Sequence, residues 1–381
     1  MRDEVWISIP TYWGKNCEDG DAMFDHPTDI TAHQTLERTI ANITEFKDDF
    51  KILVILALTH QRYHRRAREQ VERILSRYSD RKDIYLVSER DIDYFNSLIA
   101  LSPLNLKSYG AIRNVQLALP YLMGCTYVIA IDDDEIVLEK DYFKRISHLM
   151  KDDEIDLLTG VYLNKDGGYL IPCEESKERG PFEQKLNLMN KQMTLEMSDE
   201  IQPHRTHVGF GGNMIFSSKI IENICFDEFI ARGEDFDYIL NSLASNFSVY
   251  FDKSIAITHL PVSHKRLERE VTVERDIKRH IYTFYKKQAL NWDVDQKIYP
   301  GTFLEDIDDL KRFSILAYQK ESQGSLDEAA AAVNRIESYA FEHRDVYTQQ
   351  KLSWLRFIEI FHKSDKVLNL AINWIKGVKL L

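Results

Sequence analysis

Apolar runs alternate with segments of helical spacing through the first third of this chain. Val5-Trp6-Ile7-Ser8-Ile9-Pro10, Lys51–Leu58, Asp83–Ser88 and Tyr127–Ile131 are continuous rather than alternating in apolar character. That is the pattern of strands covered on both faces. Between them, Thr35–Phe46 places Leu36, Ile40 and Ile43 on one helical face, and Arg62–Tyr78 turns Val71, Ile74 and Leu75 inward. Ala111–Tyr121 predicts a third helix. The resulting β-α-β-α-β-α-β order predicts an α/β fold with a doubly wound sheet.

Two interruptions stand out. Pro10 is expected to stop the first strand, because proline has no N–H to give a sheet. Residues 11–34 then form a polar and aromatic insertion, too long for an ordinary loop between strand and helix. Beyond residue 140 the pattern is mixed. Asp156–Leu163 and Gly168–Pro172 read as strands around an Asp166-Gly167-Gly168 turn, and Ser248–Thr258 as another strand. The charged stretch from Glu174 to Pro203 reads as a mobile loop or short helix. From residue 303 helical spacing dominates, in Leu326–Phe341 and Tyr347–Phe361, and Ser325 with Glu328 predicts a capping box. The terminal Val367–Leu381 segment suits a packed helix, with a membrane-surface helix as the alternative.

The most informative stretch is Tyr127-Val-Ile-Ala-Ile-Asp-Asp-Asp-Glu-Ile-Val137, where a buried strand runs into four consecutive acids. These acids are expected at the carboxyl end of their strand, where open α/β sheets bind ligands. Carboxylates crowded together repel one another, so a compensating cation, Mg²⁺ or Mn²⁺, is the natural companion. A solvated acidic turn is the plain alternative.

Composition narrows the field. The 381 residues are long enough for two domains, and 44% hydrophobic content supplies a sizeable core. A net charge of −12 argues against a nucleic-acid binder. Cys17, Cys125, Cys173 and Cys225 form no close pair, so neither a zinc cluster nor a disulfide framework is suggested and a reducing cytoplasm is the default expectation. No apolar run approaches the roughly 18 residues that span a bilayer.

Five segments in order resemble the GT-A glycosyltransferases, in particular the bacterial inverting enzymes of family 2. They are Ser8-Ile9-Pro10-Thr11-Tyr12; Tyr109-Gly110-Ala111-Ile112-Arg113-Asn114; Asp132-Asp133-Asp134, which fits an Asp-x-Asp motif; Gly233-Glu234-Asp235-Phe236-Asp237, like the family's Glu-Asp motif; and His259 or His264 after a strand. The resemblance covers roughly residues 4–265 and implies a GT-A, Rossmann-like mixed sheet flanked by helices. It divides the chain into a transferase domain over 1–302 and a helical appendage over 303–381. Within the domain, 1–140 would be the nucleotide-binding half and 141–302 the acceptor half.

The resemblance also implies roles. Asp134, Asp132 and His259 would hold Mn²⁺ or Mg²⁺, with His264 in reserve for His259. Pro10, Thr11, Tyr12, Arg113, Asn114, Asp132 and Asp133 would border the nucleotide-sugar donor. Gly211 and Gly212, within Gly209-Phe210-Gly211-Gly212-Asn213, would allow close approach of backbone to sugar. Asp235 would be the base of an inverting transfer and Glu234 would orient the acceptor. The chemistry is coherent: a bound metal stabilises the leaving diphosphate as a Lewis acid, and Arg113 offers a planar cationic fork.

The family's acid at the end of the second strand is absent, and Leu58-Thr59-His60 stands there. UDP is therefore only the favoured donor over GDP. The acceptor, whether glycan, lipid carrier or small metabolite, has no readable code. Location is expected in the cytoplasm or at the inner face of the membrane, with peripheral membrane contact and self-association through the C-terminal helices left open. Two rivals share the acidic strand. A haloacid-dehalogenase-like phosphatase would use Asp132 as nucleophile, but on a first strand rather than a fourth. A non-catalytic nucleotide-sugar-binding module would keep the fold without the chemistry.

Overall fold

The computed structural model describes residues 4–14, 28–30, 35–101, 103–171, 181–261, 269–292, 301 and 304–380. In chain order the first half comprises β1 (Val5–Gly14), β2 (Thr28–Asp29), α1 (Thr35–Ile43), β3 (Lys51–Leu58), α2 (His64–Leu75), β4 (Ile84–Ser88), α3 (Glu89–Ile99), α4 (Tyr109–Leu122), β5 (Tyr127–Ala130), β6 (Glu135–Ile136) and α5 (Tyr142–Leu149). The second half continues with β7 (Leu157–Leu163), α6 (Pro181–Ser198), β8 (His204–Arg205), β9 (Met214–Ser217), α7 (Ser218–Asn223), α8 (Glu234–Ala244) and β10 (Val249–His259). It ends in α9 (Arg269–Leu290), α10 (Ile307–Ser322), α11 (Leu326–Glu342), α12 (Val346–Lys363) and α13 (Asp365–Gly377).

The strands form a mixed sheet in the order β4-β3-β1-β5-β9-β7-β10-β6, with β2 added to β1 and β8 to β10. β4, β3, β1 and β5 run parallel, while β9 is antiparallel between β5 and β7. Successive residues of a strand face opposite sides. Trp6, Leu53, Ile55 and Val128 accordingly join one core with α3, α4, α7, α12 and α13. Ile7, Ile9, Val54, Leu56 and Ile129 join a second core with α1, α2 and α5. The continuous apolar runs are thus explained by helices on both faces, as the mixed, helix-flanked α/β reading required.

β1 does not stop at Pro10. It continues to Gly14, paired with β3 from Trp6 to Trp13. Ser8 shows why: its carbonyl accepts from Ile131 N at 3.2 Å, so Ser8 and, two residues on, Pro10 turn their backbone polar groups toward β5. Pairing with β5 ends at Ser8. The missing N–H of Pro10 therefore falls where no partner strand remains.

Three further expectations are corrected. Residues 168–171 are irregular rather than a strand, and residue 172 lies outside the described residues. Within the stretch from Glu174 to Pro203, Pro181–Ser198 is an 18-residue helix, not a loop or a short one. Of the 11–34 insertion, Thr28–Asp29 adds a short parallel strand to the end of β1, and the segment holding Asp25-His26-Pro27 lies outside the described residues.

The C-terminal helices pack in two places. In α12 and α13, Trp354, Phe357, Ile358, Phe361, Ala371 and Ile375 are buried in the same core as Trp6 and Val128. Burial of an isoleucine or phenylalanine among them stabilises by roughly 1.5–3 kcal/mol. α10 and α11 instead pack on α9 through Leu310, Val333 and Ile281. Cys125 and Cys225 are free and buried. Among the described residues no helix is long and apolar enough to cross a membrane.

Candidate active site

The acidic segment turns sharply after β5, and α1 holds the turn. Glu135 N donates to Asp132 O at 3.3 Å, and Thr39 Oγ1 lies 2.9 and 2.7 Å from the carbonyl oxygens of Asp133 and Glu135. Asn42 exchanges two hydrogen bonds with the Val137 backbone, at 2.8 and 2.9 Å. Glu135 and Ile136 then pair antiparallel with His259 and Thr258, which brings the end of β10 alongside the acids.

The four acids have four different partners. Asp132 is gripped by Arg113 of α4, whose Nη1 is 2.8 Å from Oδ1 and whose Nη2 donates to Oδ2 at 3.2 Å. Asp133 accepts from Thr11 Oγ1 at 2.5 Å, and that hydroxyl receives Trp13 Nε1–H at 2.7 Å. Asp134 Oδ2 lies 3.1 Å from His259 Nε2. Glu135 is fully buried, and its Oε2 accepts from Asp132 N at 2.7 Å. Burial first, then the neighbouring acids, push the Asp133 and Glu135 carboxyls well above the usual carboxylate range.

A second carboxylate pair faces this turn from α8. Gly233 precedes the helix at φ 76°, and a Cβ there would overlap Arg279 Nη1. A left-handed residue with no room for a side chain has to be glycine. Asp235 is fixed by backbone donors: Gly211 N at 3.2 Å on Oδ2 and Phe236 N at 2.8 Å on Oδ1. Burial raises its carboxyl pKa, and burial with the charge of Asp235 raises that of Glu234 to about 7. Arg113 Nε is 3.5 Å from Glu234 Oε1, so one guanidinium touches both acid pairs. Behind them, fully buried Lys286 of α9 donates to Asp227 at 2.7 Å and to Asp237 at 2.8 Å, pinning the first turn of α8.

The glycine-rich segment closes the floor. A Cβ on Gly211 would sit 2.6 Å from Arg113 Nη2, and one on Gly212 would overlap Glu135 Oε1 and Tyr162 OH. Gly212 N donates to Tyr162 OH at 2.7 Å. The Tyr162 ring stacks between Phe210 and His259, with centroids 4.7 and 5.7 Å away.

Of the residues singled out in the sequence, Arg113, Asp132, Asp134, Glu234, Asp235, Gly211, Gly212 and His259 come together here. Tyr12, partly buried, stands edge-on to Tyr109 at 5.3 Å, with Arg113, Asp132 and Glu234 among the charges that act on its hydroxyl. Thr11 is buried beneath Asp133. Asn114 is buried too, and its amide holds the 226–228 segment: Nδ2 donates to Phe226 O at 3.0 Å and Oδ1 accepts from Phe226 N at 2.7 Å. Gly110 serves the same contact, since a Cβ would come within 2.5 Å of Asp227 O. His264 lies outside the described residues. Sequence reading missed Thr39, Tyr162, Lys286 and Arg279, none of which carries a local signal; the paired register of Tyr162 with Ile257 is what sets its ring beside His259.

For a metal, Asp134 and His259 offer carboxylate and imidazole donors of the right chemistry for Mn²⁺ or Mg²⁺. Asp132 is engaged by Arg113, and among the described residues no three His, Cys, Asp or Glu groups are gathered to hold an ion. Two cations already reach this turn, Arg113 on Asp132 and Arg38, whose Nη2 donates to Asp134 O at 3.4 Å. A divalent ion would therefore rest on the side chains of Asp134 and His259.

No family model matches the chain. It is similar to an uncharacterized glycosyltransferase of Methanocaldococcus jannaschii, 23% identical over 240 residues, which span 62% of this chain and 67% of that protein. Among solved structures, a mannosyltransferase from Pyrobaculum calidifontis in complex with GDP-Man and Mn²⁺ gives a TM-score of 0.45 at 13% identity, over 96% of this chain and 88% of that one. TarS from S. aureus gives a TM-score of 0.44 at 11% identity, over 91% of each chain. TM-scores this low leave the site to be read from its own geometry.

Proposed function

We propose that this chain is a metal-dependent glycosyltransferase of the GT-A type. It moves a sugar from a nucleoside-diphosphate donor, UDP before GDP, to a hydroxyl acceptor with inversion. The observation that carries the reading is Arg113, which ties Asp132 to Glu234 and so joins the acid turn and the α8 pair into one site. The similarity over 240 residues to a protein described as a glycosyltransferase supports it.

Asp134 and His259 would hold the Mn²⁺ or Mg²⁺, which when bound stabilises the negative charge of the departing diphosphate. The rest falls to the chain's own groups. Asp235, held by two backbone N–H groups and raised in pKa by burial, takes the acceptor proton. Glu234 orients that acceptor. Arg113 holds Asp132 and Glu234 side by side, and Gly211 and Gly212 let the backbone approach the sugar. Tyr12 lines the donor side. Thr11, Asp133 and Asn114 act from beneath by fixing the turn and the 226–228 segment.

The test is a thermal-shift and hydrolysis series with UDP-, GDP-, CMP- and dTDP-sugars, with and without Mn²⁺. A ligand that binds the native state raises stability by mass action. A Mn²⁺-dependent shift and slow donor hydrolysis are expected with UDP- or GDP-sugars. Absence of both with every donor overturns the reading, and release of phosphate from a phosphomonoester in their place would favour the phosphatase alternative.

A further inference from the structure

A second cleft, of about 740 Å³, opens between α3 and the segment leading into α4. Its volume is within the range of small-molecule sites, roughly 300–1,000 Å³. Glu89, Asp93 and Glu228 line it against a single cation, Lys107. At its floor, Asn96 is 8% exposed; Nδ2 donates to Leu104 O at 2.7 Å, while Oδ1 is buried with no hydrogen-bond partner. A buried amide oxygen left unmatched costs about 1–3 kcal/mol, which a ligand hydroxyl would recover.

The lining selects a ligand class. Glu89, Asp93, an orphaned amide oxygen and the Ser97 hydroxyl offer mostly acceptors, while Glu228 already accepts from Asn105 and Asn114, so the fitting ligand is rich in donors. Excess negative charge repels phosphate, which removes the nucleotide donor as occupant. A neutral polyhydroxyl chain satisfies both conditions. The cleft also shares its supports with the active site. Ser108 at its rim caps α4, accepting from Ala111 N at 3.1 Å, and α4 carries Arg113. Asn114, next to Arg113, donates to Glu228 Oε1 at 3.2 Å.

We infer that the α3–α4 cleft is a saccharide-binding site that holds a neutral, hydroxyl-rich part of the acceptor. The binding claim stands by itself; the link to an acceptor rests on the transferase reading above. Glu89, Asp93 and Asn96 accept from ligand hydroxyls, and the bound saccharide lies beside the head of α4 without touching Asp235 or Arg113.

The experiment is saturation-transfer NMR of the full chain with maltose, cellobiose, lactose and chitobiose, and with glucose 6-phosphate as the anionic counter-probe. At least one neutral disaccharide is expected to bind, and glucose 6-phosphate more weakly. A Glu89→Lys, Asp93→Lys double variant should weaken the saccharide about tenfold. The same variant should leave the Mn²⁺-dependent nucleotide-sugar shift unchanged, and raise KM for the saccharide acceptor with kcat held. A milder Glu89→Gln variant, with a smaller loss in the same direction, guards against misfolding. No binding by any disaccharide, binding that survives the double variant, or preference for the phosphosugar overturns the inference. Donor hydrolysis without saccharide binding removes the cleft alone. Cleft-dependent saccharide binding without donor hydrolysis removes the transferase reading and leaves the cleft standing.

Discussion

Asp134 Oδ2 and His259 Nε2 lie 3.1 Å apart, although 125 positions separate them in the chain. The contact joins the acid turn to the end of β10. Burial opposes the imidazolium, but the hydrogen bond and charge of Asp134 prevail, and the His259 pKa is raised. Asp134→Asn and His259→Ala should each weaken Mn²⁺ binding by at least about tenfold, or 1.4 kcal/mol. The His259 side chain is 39% exposed, so metal-free stability should change by less than about 1 kcal/mol. Mn²⁺ titration by thermal shift checks both values, and an undiminished shift in either variant removes that residue from the metal site.

Asp235 is buried and held by two backbone donors, and among the described residues it makes no ion pair, the setting of a general base. Asp235→Asn keeps the shape and removes the proton acceptor. Transfer should slow by about 10²–10⁴-fold, with the donor-induced thermal shift preserved. A variant that retains wild-type kcat would reassign the base, with Glu234 next in line.

The acid turn was legible because a buried strand ending in four carboxylates is a rare local pattern, and Glu234-Asp235 because the pair opens a helix. What each acid does was not legible. Asp132 is assigned by Arg113, Asp133 by Thr11 and Asp134 by His259, partners 19, 122 and 125 positions away. No local pattern encodes such distances. The fold shows the same division. Continuous apolar strands announced helices on both faces, but Pro10 misled because its effect depends on which neighbour ends first. The long helix α6 was missed because its pattern is mixed: Met193 is buried with Val161 and Phe251, while Leu186 and Leu195 remain exposed.

Arg113 is 4% exposed and the cation shared by Asp132 and Glu234. Removing it leaves a buried carboxyl, Glu234, and a partly buried one, Asp132, without their shared cation. Arg113→Met should destabilise by about 2–3 kcal/mol, less than for a fully buried pair because Asp132 is 27% exposed. Arg113→Lys should recover only part, because a single ammonium cannot match the fork that reaches both acids. Urea denaturation of the three proteins orders them wild type, Lys, Met. A Met variant as stable as wild type would show that the acids take up protons and need no cation.

The pH dependence of stability reports on Glu234. Its pKa in the folded protein, about 7, is above the ordinary glutamate value near 4.3, chiefly through burial and then the charge of Asp235. Between those two values the folded state keeps a proton that the unfolded chain has released. Stability supplied by this group is therefore present at low pH and lost as pH rises toward 7. Glu234→Gln removes the titration and keeps the volume. At pH 5 the variant should lie within about 1 kcal/mol of wild type, and at pH 8 it should be more stable by roughly 1–3 kcal/mol, after allowance for the lost attraction to Arg113. Urea-denaturation free energies measured from pH 5 to 8 would show wild type sloping downward and the variant flatter. If the variant is instead the less stable at pH 8, the Arg113 contact outweighs burial, and Glu234 is ionised throughout the working range of the enzyme.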